Sequence, residues 1–462
     1  MMDRTQVKMQ LNCCKSWGCK NFGLTASADY QPLSYHLGYP ALYCAECGSY
    51  PPLIDNQLVT QLIAEKLPQQ FPQTMDQCPN GCDLTTLKRP QRYGLTSAGR
   101  QRLRCRHCLK VYTPTKPATA ALLHTLAEHL TQSLNATTSI QRLGITSKRY
   151  YQLLHEFALL LGRYTRQLEQ QFAPKELLAM QTEGHVLAFA GGLRLWLLTS
   201  SEATSGYQLM STHNLSELSE PDAHYQNKAD NRLTTFADAP LTEALKRRYQ
   251  QLMNRYHFED LQYGPSPCWR RHYLIQPSLV TYAHFQMLRS ITDSAHHLHH
   301  YLEQESCMRG AAIMGSIERI REKQAEVFYL FAHPDRQTAF LADGRAVGWW
   351  RDRWFSTPFG GYCPVTERSH YRYPFQMRDI QTNQHYFEYL DTHFPRTLKS
   401  LTPINDHLLI QRCRYNLVTQ ANRVAPASYL KMPVFKHLQE LVQAALSDYQ
   451  QAISPLSHSE IR

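Results

Sequence analysis

Cys78-Pro79-Asn80-Gly81-Cys82 and, roughly twenty residues further on, Arg102-Leu103-Arg104-Cys105-Arg106-His107-Cys108 form two close cysteine pairs at the spacing of a four-thiolate zinc site. Such a shell stands in for a hydrophobic interior, because a short loop-rich segment can fold around one tetrahedral ion. Between the pairs lie Lys88, Arg89, Arg92, Arg100, Arg102 and Arg104, with Asp83 as the only acid. From Lys88 to Lys116 there is no acid at all, and Arg106, Lys110 and Lys116 add further positive charge. A zinc knuckle with that charge presents a surface suited to phosphate; the plainer reading is a solvated basic loop.

The same chemistry recurs upstream, where Cys13, Cys14, Cys19, Cys44 and Cys47 cluster. Cys44-Ala45-Glu46-Cys47-Gly48 reads as a knuckle in which Gly48 permits the left-handed turn. The expected ligands of this first site are Cys14, Cys19, Cys44 and Cys47, with Cys13 as the alternative and buried structural thiols as the plainer reading. Cys268, Cys307, Cys363 and Cys413 are isolated and read as buried thiols.

A chain of 462 residues has room for roughly two to four domains. No run approaches the roughly eighteen apolar residues of a membrane span, and MMDRTQVKMQLNCCK lacks the apolar stretch of a signal peptide. The expectation is a cytoplasmic, nucleoid-associated protein with no membrane partner. In that reducing compartment the thirteen cysteines are better read as metal ligands than as a disulfide framework. The net charge of +11 points to a polyanion.

From Ala118 the texture is helical: Ala121, Leu122, Leu126 and Leu130 mark one face, and Thr137 to Leu143 form a second short unit. Gly144 breaks the chain, and Thr146 is placed to cap a third helix beginning Ser147-Lys148-Arg149-Tyr150-Tyr151 and continuing toward Pro174. Helices separated by a glycine turn match a helix-turn-helix, which would present Ser147, Lys148, Arg149 and Tyr151 to a DNA major groove. Any small helical bundle fits the same pattern.

Short strands are expected at Leu177–Thr182, Leu193–Thr199 and Gly206–Thr212, forming a meander. Helices follow at Pro240–Tyr256 and around Val280–Ile291, then a strand His299–Glu305, a helix Met308–Gln324 and a strand Ala325–Phe331. His296, His297, His299 and His300 read as solvated residues rather than a metal cluster, since alternation separates them. Beyond Pro334 the chain reads as an irregular aromatic insertion. Its Trp349, Trp350 and Trp354 either pack against the core or stack bases. Helices at about Asp406–Gln420 and Pro433–Gln450 complete the chain.

This order of parts resembles bacterial insertion-sequence transposases, whose catalytic core is RNase H-like. The resemblance is closest from Cys78 to Thr113, where CPNGC and YGLTSAGRQRLRCRHCLKVYT look like that family's zinc ribbon. It continues from Thr182 to Ser216, where TEGHVLAF leads to TSSEATSGYQLMSTHNLS, and from Val280 to Ala311, where VTYAHFQML leads to YLEQESCMRGA. RCRYNLVTQANR faintly resembles the family's arginine-rich terminal helix.

The resemblance implies DNA cleavage and strand transfer assisted by two Mg²⁺ ions about 3.5 to 4 Å apart, held by three acidic side chains. The first family aspartate falls on Glu183 and the second on Glu303 or Glu305, while the third acid is replaced by Thr419 or Gln420. Asp406, Glu388 or Asp391 could supply the missing oxygen. Each Asp-to-Glu change moves a carboxylate out by one methylene, and catalysis suffers from misplacements of about 1 Å. The expected activity is therefore doubtful.

The resulting expectation is a multidomain α/β chain. Residues 1–70 would form a first zinc module, 71–117 a zinc ribbon and 118–173 a helix-turn-helix. Residues 174–335 would form an RNase H-like mixed-sheet core, 336–400 the aromatic insertion and 401–462 C-terminal helices that complete the core. The expected partner is double-stranded DNA, with self-association left open. The competing functions are a transposase with a degenerate acidic triad, a non-catalytic zinc-dependent DNA-binding regulator or accessory protein derived from one, and an RNA-binding zinc protein.

Overall fold

The structure is a computed structural model that describes residues 9–33, 41–71, 78, 90–97, 99, 101–113, 118–171, 176–218, 238–254, 264–265, 272–334, 345–347, 352–358, 360–366, 382–420 and 423–453. The chain divides into two compact units, Met1–Leu67 with Ala173–Glu388, and Pro68–Phe172 with Tyr389–Arg462. Among the described residues no helix is long and apolar enough to cross a membrane.

The first unit begins with a hairpin, β1 (Tyr30–Leu33) against β2 (Ala41–Cys44). Helix α1 (Asn56–Gln70) follows; Asp55 Oδ1 accepts hydrogen bonds from the backbone N–H groups of Gln57 and Leu58, satisfying two of its free donors. Leu58, Val59 and Leu62 are buried and join Leu11, Phe22 and Ile54 in the main core of this unit. The segment expected to be a separate zinc module therefore shares a hydrophobic interior with the sheet described below, because its own few apolar residues cannot enclose a core.

In the second unit β3 (Gln91–Leu95), β4 (Gln101–Arg104) and β5 (Val111–Tyr112) form a three-stranded antiparallel sheet. Three helices follow: α2 (Ala120–Thr131), α3 (Ala136–Leu143) and α4 (Ser147–Gln170). Asn135 accepts from the Thr138 N–H at the start of α3, Gly144 closes it at φ +62°, and Thr146 accepts from the Arg149 N–H at the start of α4. These are the stop and start signals the sequence carries, and each cap contributes about 1 kcal/mol. Along α4, Tyr150, Leu153, Leu154, Phe157, Leu160 and Leu161 form one buried stripe.

The sheet of the first unit starts as an antiparallel meander, β6 (Leu177–Ala188), β7 (Arg194–Glu202) and β8 (Gln208–His213). Two-residue strands β9 (Leu215–Ser216), β10 (Gly264–Pro265) and β11 (Tyr273–Leu274) make a small side sheet, with α5 (Leu241–Asn254) between β9 and β10 in sequence. Helix α6 (Pro277–Thr292) leads to β12 (His297–Glu303), which runs parallel to β6; α7 (Ser306–Gly315) and α8 (Ile317–Arg321) lead to β13 (Ala325–Ala332), parallel to β12. Parallel neighbours need such crossovers, and helices provide them.

Strand alternation divides the core. Leu178, Met180, Trp196, Leu198, Leu298, Leu302 and Val327 pack with Val280, Ala283, Met308 and Ala312 of the helices. Ala179, Tyr301, Phe328, Leu330 and Tyr362 form a second cluster on the opposite face. Gly315 lets α7 lie close to α6, since a Cβ there would sit 2.9 Å from the Phe285 carbonyl oxygen. The single helix expected over Met308–Gln324 is interrupted at Ser316, whose hydroxyl bonds the buried His300 Nε2 at 2.9 Å.

The stretch after Pro334 corrects the sequence reading. Its described parts are strands β14 (Arg345–Val347), β15 (Asp352–Thr357) and β16 (Gly360–Pro364), which extend the sheet to the order β14-β15-β16-β13-β12-β6-β7-β8. Trp354 is fully buried and donates to the Tyr249 hydroxyl at 3.0 Å, so it packs as core. Trp349 and Trp350 lie outside the described residues.

Helix α9 (Thr382–His393) spans the boundary between the two sequence ranges, and α10 (Leu401–Leu417) and α11 (Leu438–Ile453) belong to the second unit. There α10 packs along α4, while α11 packs on α2 and α4. The helices expected to complete the sheet core instead pack against α2 and α4 in the second unit. The arginines of RCRYNLVTQANR serve this packing: Arg412 donates to Gln70 Oε1 at 3.2 Å, Arg414 to the Leu130 carbonyl at 3.3 Å, and Arg423 to the Tyr415 carbonyl at 2.8 Å.

Candidate functional site

Two cysteine groups could hold a metal ion. The sulfurs of Cys14, Cys19, Cys44 and Cys47 all lie within 4.8 Å of one another, with Cys14–Cys47 at 3.5 Å and Cys19–Cys44 at 3.8 Å. A disulfide requires about 2.05 Å, whereas sulfurs bound about 2.3 Å from a tetrahedral zinc lie about 3.8 Å apart. The geometry therefore fits a shared ion. Two turns deliver the ligands: Gly18 at φ +84° precedes Cys19, and Gly48 at φ +69° returns its N–H to the Cys44 carbonyl at 2.8 Å. The Asn21 backbone and side chain donate to Cys19 Sγ and Cys44 Sγ, as suits thiolate ligands. Cys13 points elsewhere, its sulfur 3.2 Å from Met314 Sδ, so Cys14 is the ligand and Cys13 a core residue.

In the second unit Cys78, Cys105 and Cys108 come together, with Cys78–Cys108 at 3.3 Å. Leu109 adopts φ +61°, and its N–H returns to the Cys105 carbonyl at 3.0 Å, while the His107 N–H donates to Cys105 Sγ. Cys82, the expected fourth ligand, lies outside the described residues. Leu103 and Tyr112 cover the cysteines from the sheet side.

The acids expected to be catalytic are distributed over both units. Gln181 and Tyr301 are paired across β6 and β12, so Glu183 and Glu303, each two residues on, share one face of the sheet. Glu183 Oε1 accepts from the Gln181 side-chain amide at 3.0 Å, and Glu303 Oε2 accepts from the Gly184 N–H at 3.1 Å. Arg248 of α5 joins the second position: its guanidinium lies 2.9 Å from Glu305, 3.9 Å from Glu303 and 3.2 Å from the Gln304 carbonyl. Asp406 belongs to the second unit, where His155 Nδ1 bonds its carboxylate at 2.9 Å. Burial raises the Asp406 pKa against the pull of His155.

Glu388 lies 4.0 Å from His385, and Asp391 is bound by Arg396 at 2.5 Å. Thr419 and Gln420 enter backbone pairings after α10. Among the described residues the two cysteine groups are those in which three or more His, Cys, Asp or Glu ligand atoms approach within 4.8 Å. No carboxylate triad does so, and the guanidinium of Arg248 already supplies the positive charge beside Glu303 and Glu305. The described residues there do not gather three carboxylates around one shared ion.

Beneath these acids runs a buried polar chain. Thr182 bonds Ser200 at 2.6 Å, Ser200 bonds His284 Nε2 at 2.8 Å, and His284 Nδ1 bonds Thr212 at 2.9 Å. Burial pushes His284 down to about 3, so it is a neutral structural pin. His299 and His300, read from sequence as solvated, are buried: His300 is likewise pushed down to about 3, first by burial, while His299 Nε2 faces the Glu326 carboxylate at 3.5 Å. They are on opposite faces of β12, as alternation requires.

For nucleic acid, Ser147, Lys148 and Tyr151 are exposed at the start of α4. Arg149 is engaged within its own helix by a two-pronged contact with Glu156 at 2.9 and 3.4 Å. On the ribbon, Arg102 and Arg104 lie over the ring of Tyr93, a residue that reading charge alone passed over. Arg92 sits on the same hairpin, whereas Lys88, Arg89 and Arg100 lie outside the described residues. Comparison with protein-family models, curated proteins and solved structures finds no match to this chain.

Proposed function

We propose that the chain is a zinc-stabilised DNA-binding protein of the insertion-sequence transposase type whose RNase H-like core no longer cuts DNA. The observation that carries the binding part is the capped α2–α3–α4 arrangement, which leaves Ser147, Lys148 and Tyr151 exposed at the start of a helix in the same unit as a basic cysteine ribbon. An antiparallel meander followed by two parallel, helix-connected strands supports the RNase H-like reading of the other unit. Zinc would be held by Cys14, Cys19, Cys44 and Cys47, and by Cys78, Cys105 and Cys108 with Cys82. Its role there is structural, fixing loops that have little apolar core.

The ion pair of Arg248 with Glu305 favours the non-catalytic form of this reading over an active Mg²⁺-dependent transposase. The test is duplex binding by fluorescence anisotropy across salt, with double-stranded RNA as competitor. Affinity should fall steeply between about 50 and 200 mM salt, as counterion release requires. Lys148→Ala should weaken it. Equal affinity at both salt concentrations, or preference for the RNA duplex, would sink the proposal.

A further inference from the structure

We infer that the outward face of the β3–β4 hairpin is a stacking platform for a single nucleic-acid strand, with Tyr93 carrying an unpaired base and Arg102 and Arg104 holding the flanking phosphates. The inference rests on the nucleic-acid reading above but concerns a different surface from α4.

The register decides which side chains share that face. Gln91 is opposite Arg104, and Arg92 is opposite Leu103. Leu103 turns inward to the cysteine cluster with Cys78, Cys105 and Tyr112. Alternation then sends Tyr93, Arg102 and Arg104 outward. The two guanidinium carbons lie 5.8 and 5.6 Å from the Tyr93 ring centroid, and the tyrosine is still 44% exposed. Beyond the bulge between Arg92 and Leu95, Leu95 is 62% exposed. Gly94, at φ +74°, has open space where a Cβ would stand.

An exposed tyrosine and leucine add nothing to the ribbon's own interior, and surface of this kind marks a contact site when it is contiguous and polar-rimmed. Charge identifies the occupant. From Leu84 to Ala127 the sequence has no Asp or Glu, and among the described residues neither Arg102 nor Arg104 has an ion pair. The complementary ligand is a polyanion with planar apolar faces. In a duplex those faces are already stacked on one another and out of reach of a flat hairpin surface. An unpaired strand offers them beside its phosphates, and each base stacked on an aromatic ring strengthens binding by about five- to 150-fold.

The test uses the full-length, zinc-loaded chain with labelled oligothymidylate and a labelled duplex, both read by anisotropy. Tyr93→Ala should lower single-strand affinity about tenfold, Tyr93→Trp should retain it, and neither should move duplex affinity more than about twofold. Lys148→Ala should show the opposite pattern. Retained zinc content confirms that the variants are folded. The platform is overturned if Tyr93→Ala binds oligothymidylate like the unaltered chain, or loses both ligands equally. A chain that binds duplex but not oligothymidylate overturns the platform alone. Tyr93-dependent single-strand binding without duplex binding supports the platform and removes the helix-turn-helix reading.

Discussion

Arg248 and Glu305 form an ion pair at 2.9 Å in which both side chains are almost wholly withdrawn from solvent, at 6% and 0% exposure. Each group offsets the desolvation of the other, and the guanidinium also donates to the Gln304 carbonyl. Removing one partner takes the closest opposite charge from the other. Arg248→Ala should therefore destabilise the first unit by about 3–5 kcal/mol, while Arg248→Met with Glu305→Leu should come back to within about 1–2 kcal/mol of the parent. All six tryptophans lie within the sequence ranges of this unit, so urea unfolding followed by tryptophan fluorescence isolates it. A single variant as stable as the parent would remove the pair from the core.

The same pair bears on catalysis. A divalent ion at Glu303 and Glu305 would face a resident guanidinium, and among the described residues no three carboxylates bring an oxygen within 4.8 Å of one another. Supercoiled DNA incubated with the chain and Mg²⁺ or Mn²⁺ should stay intact. Nicking that disappears in Glu183→Gln and Glu303→Gln would restore the enzyme reading.

Metal content separates neighbouring cysteines. Cys14→Ser should lose one zinc equivalent, since Cys14 lies within the four-sulfur group, whereas Cys13→Ser should keep both. Cys105→Ser should lose the other equivalent together with the structure of the ribbon, whose few covering side chains cannot hold it alone. Elemental analysis of purified variants measures this directly. Loss of zinc from Cys13→Ser would reverse the ligand assignment.

The capping prediction is local. Thr146→Ala removes the acceptor for the Arg149 N–H and should cost about 1 kcal/mol in the second unit. Because Ser147 and Lys148 occupy the freed first turn, duplex affinity should fall as well, and circular dichroism with anisotropy reads both. Unchanged stability would mean that tertiary packing alone fixes the start of α4.

Features encoded within a few residues were legible in the sequence. Gly144 and Thr146 mark helix ends by their own dihedral angle and hydrogen bond, and alternation along β12 places His299 and His300 on opposite faces. Features that depend on distant partners were not. Arg248 lies 57 positions from Glu305, and the charged pattern of α5 gives no sign that one of its arginines is buried. Asp406 looked like a catalytic substitute because nothing nearby in sequence announces His155, which is 251 positions away. In β15 and β16 the aromatic residues masked a strand pattern, since Trp354 is core while Phe355 stacks on Tyr362 on the other face.

The two units should differ in their response to pH above 6.5, where, among the described residues, only the second holds a histidine raised by a buried carboxylate. His284 and His300 are fully buried, and burial holds each near 3 rather than 6.5, so between those values the unfolded chain binds more protons than the folded one. The first unit should therefore be stable above pH 6.5 and lose up to about 1.4 kcal/mol per pH unit for each histidine on acidification. In the second unit the Asp406 hydrogen bond raises the His155 pKa above 6.5, against desolvation, with Glu156 adding to the rise. That contribution is complete below 6.5 and disappears as pH climbs through the raised value. Asp406, raised above 3.8 by burial, adds a cost that grows as pH rises from 3.8 through its raised value. Tryptophan fluorescence should show the first unit's urea midpoint falling as pH drops below 6.5. Far-UV circular dichroism should show a second transition whose midpoint falls below pH 6.5, because burial lowers His129, His393 and His407, the last to about 4, and falls again as pH rises above 6.5, only the latter slope disappearing in His155→Gln. A slope above pH 6.5 that survives His155→Gln would contradict the assignment.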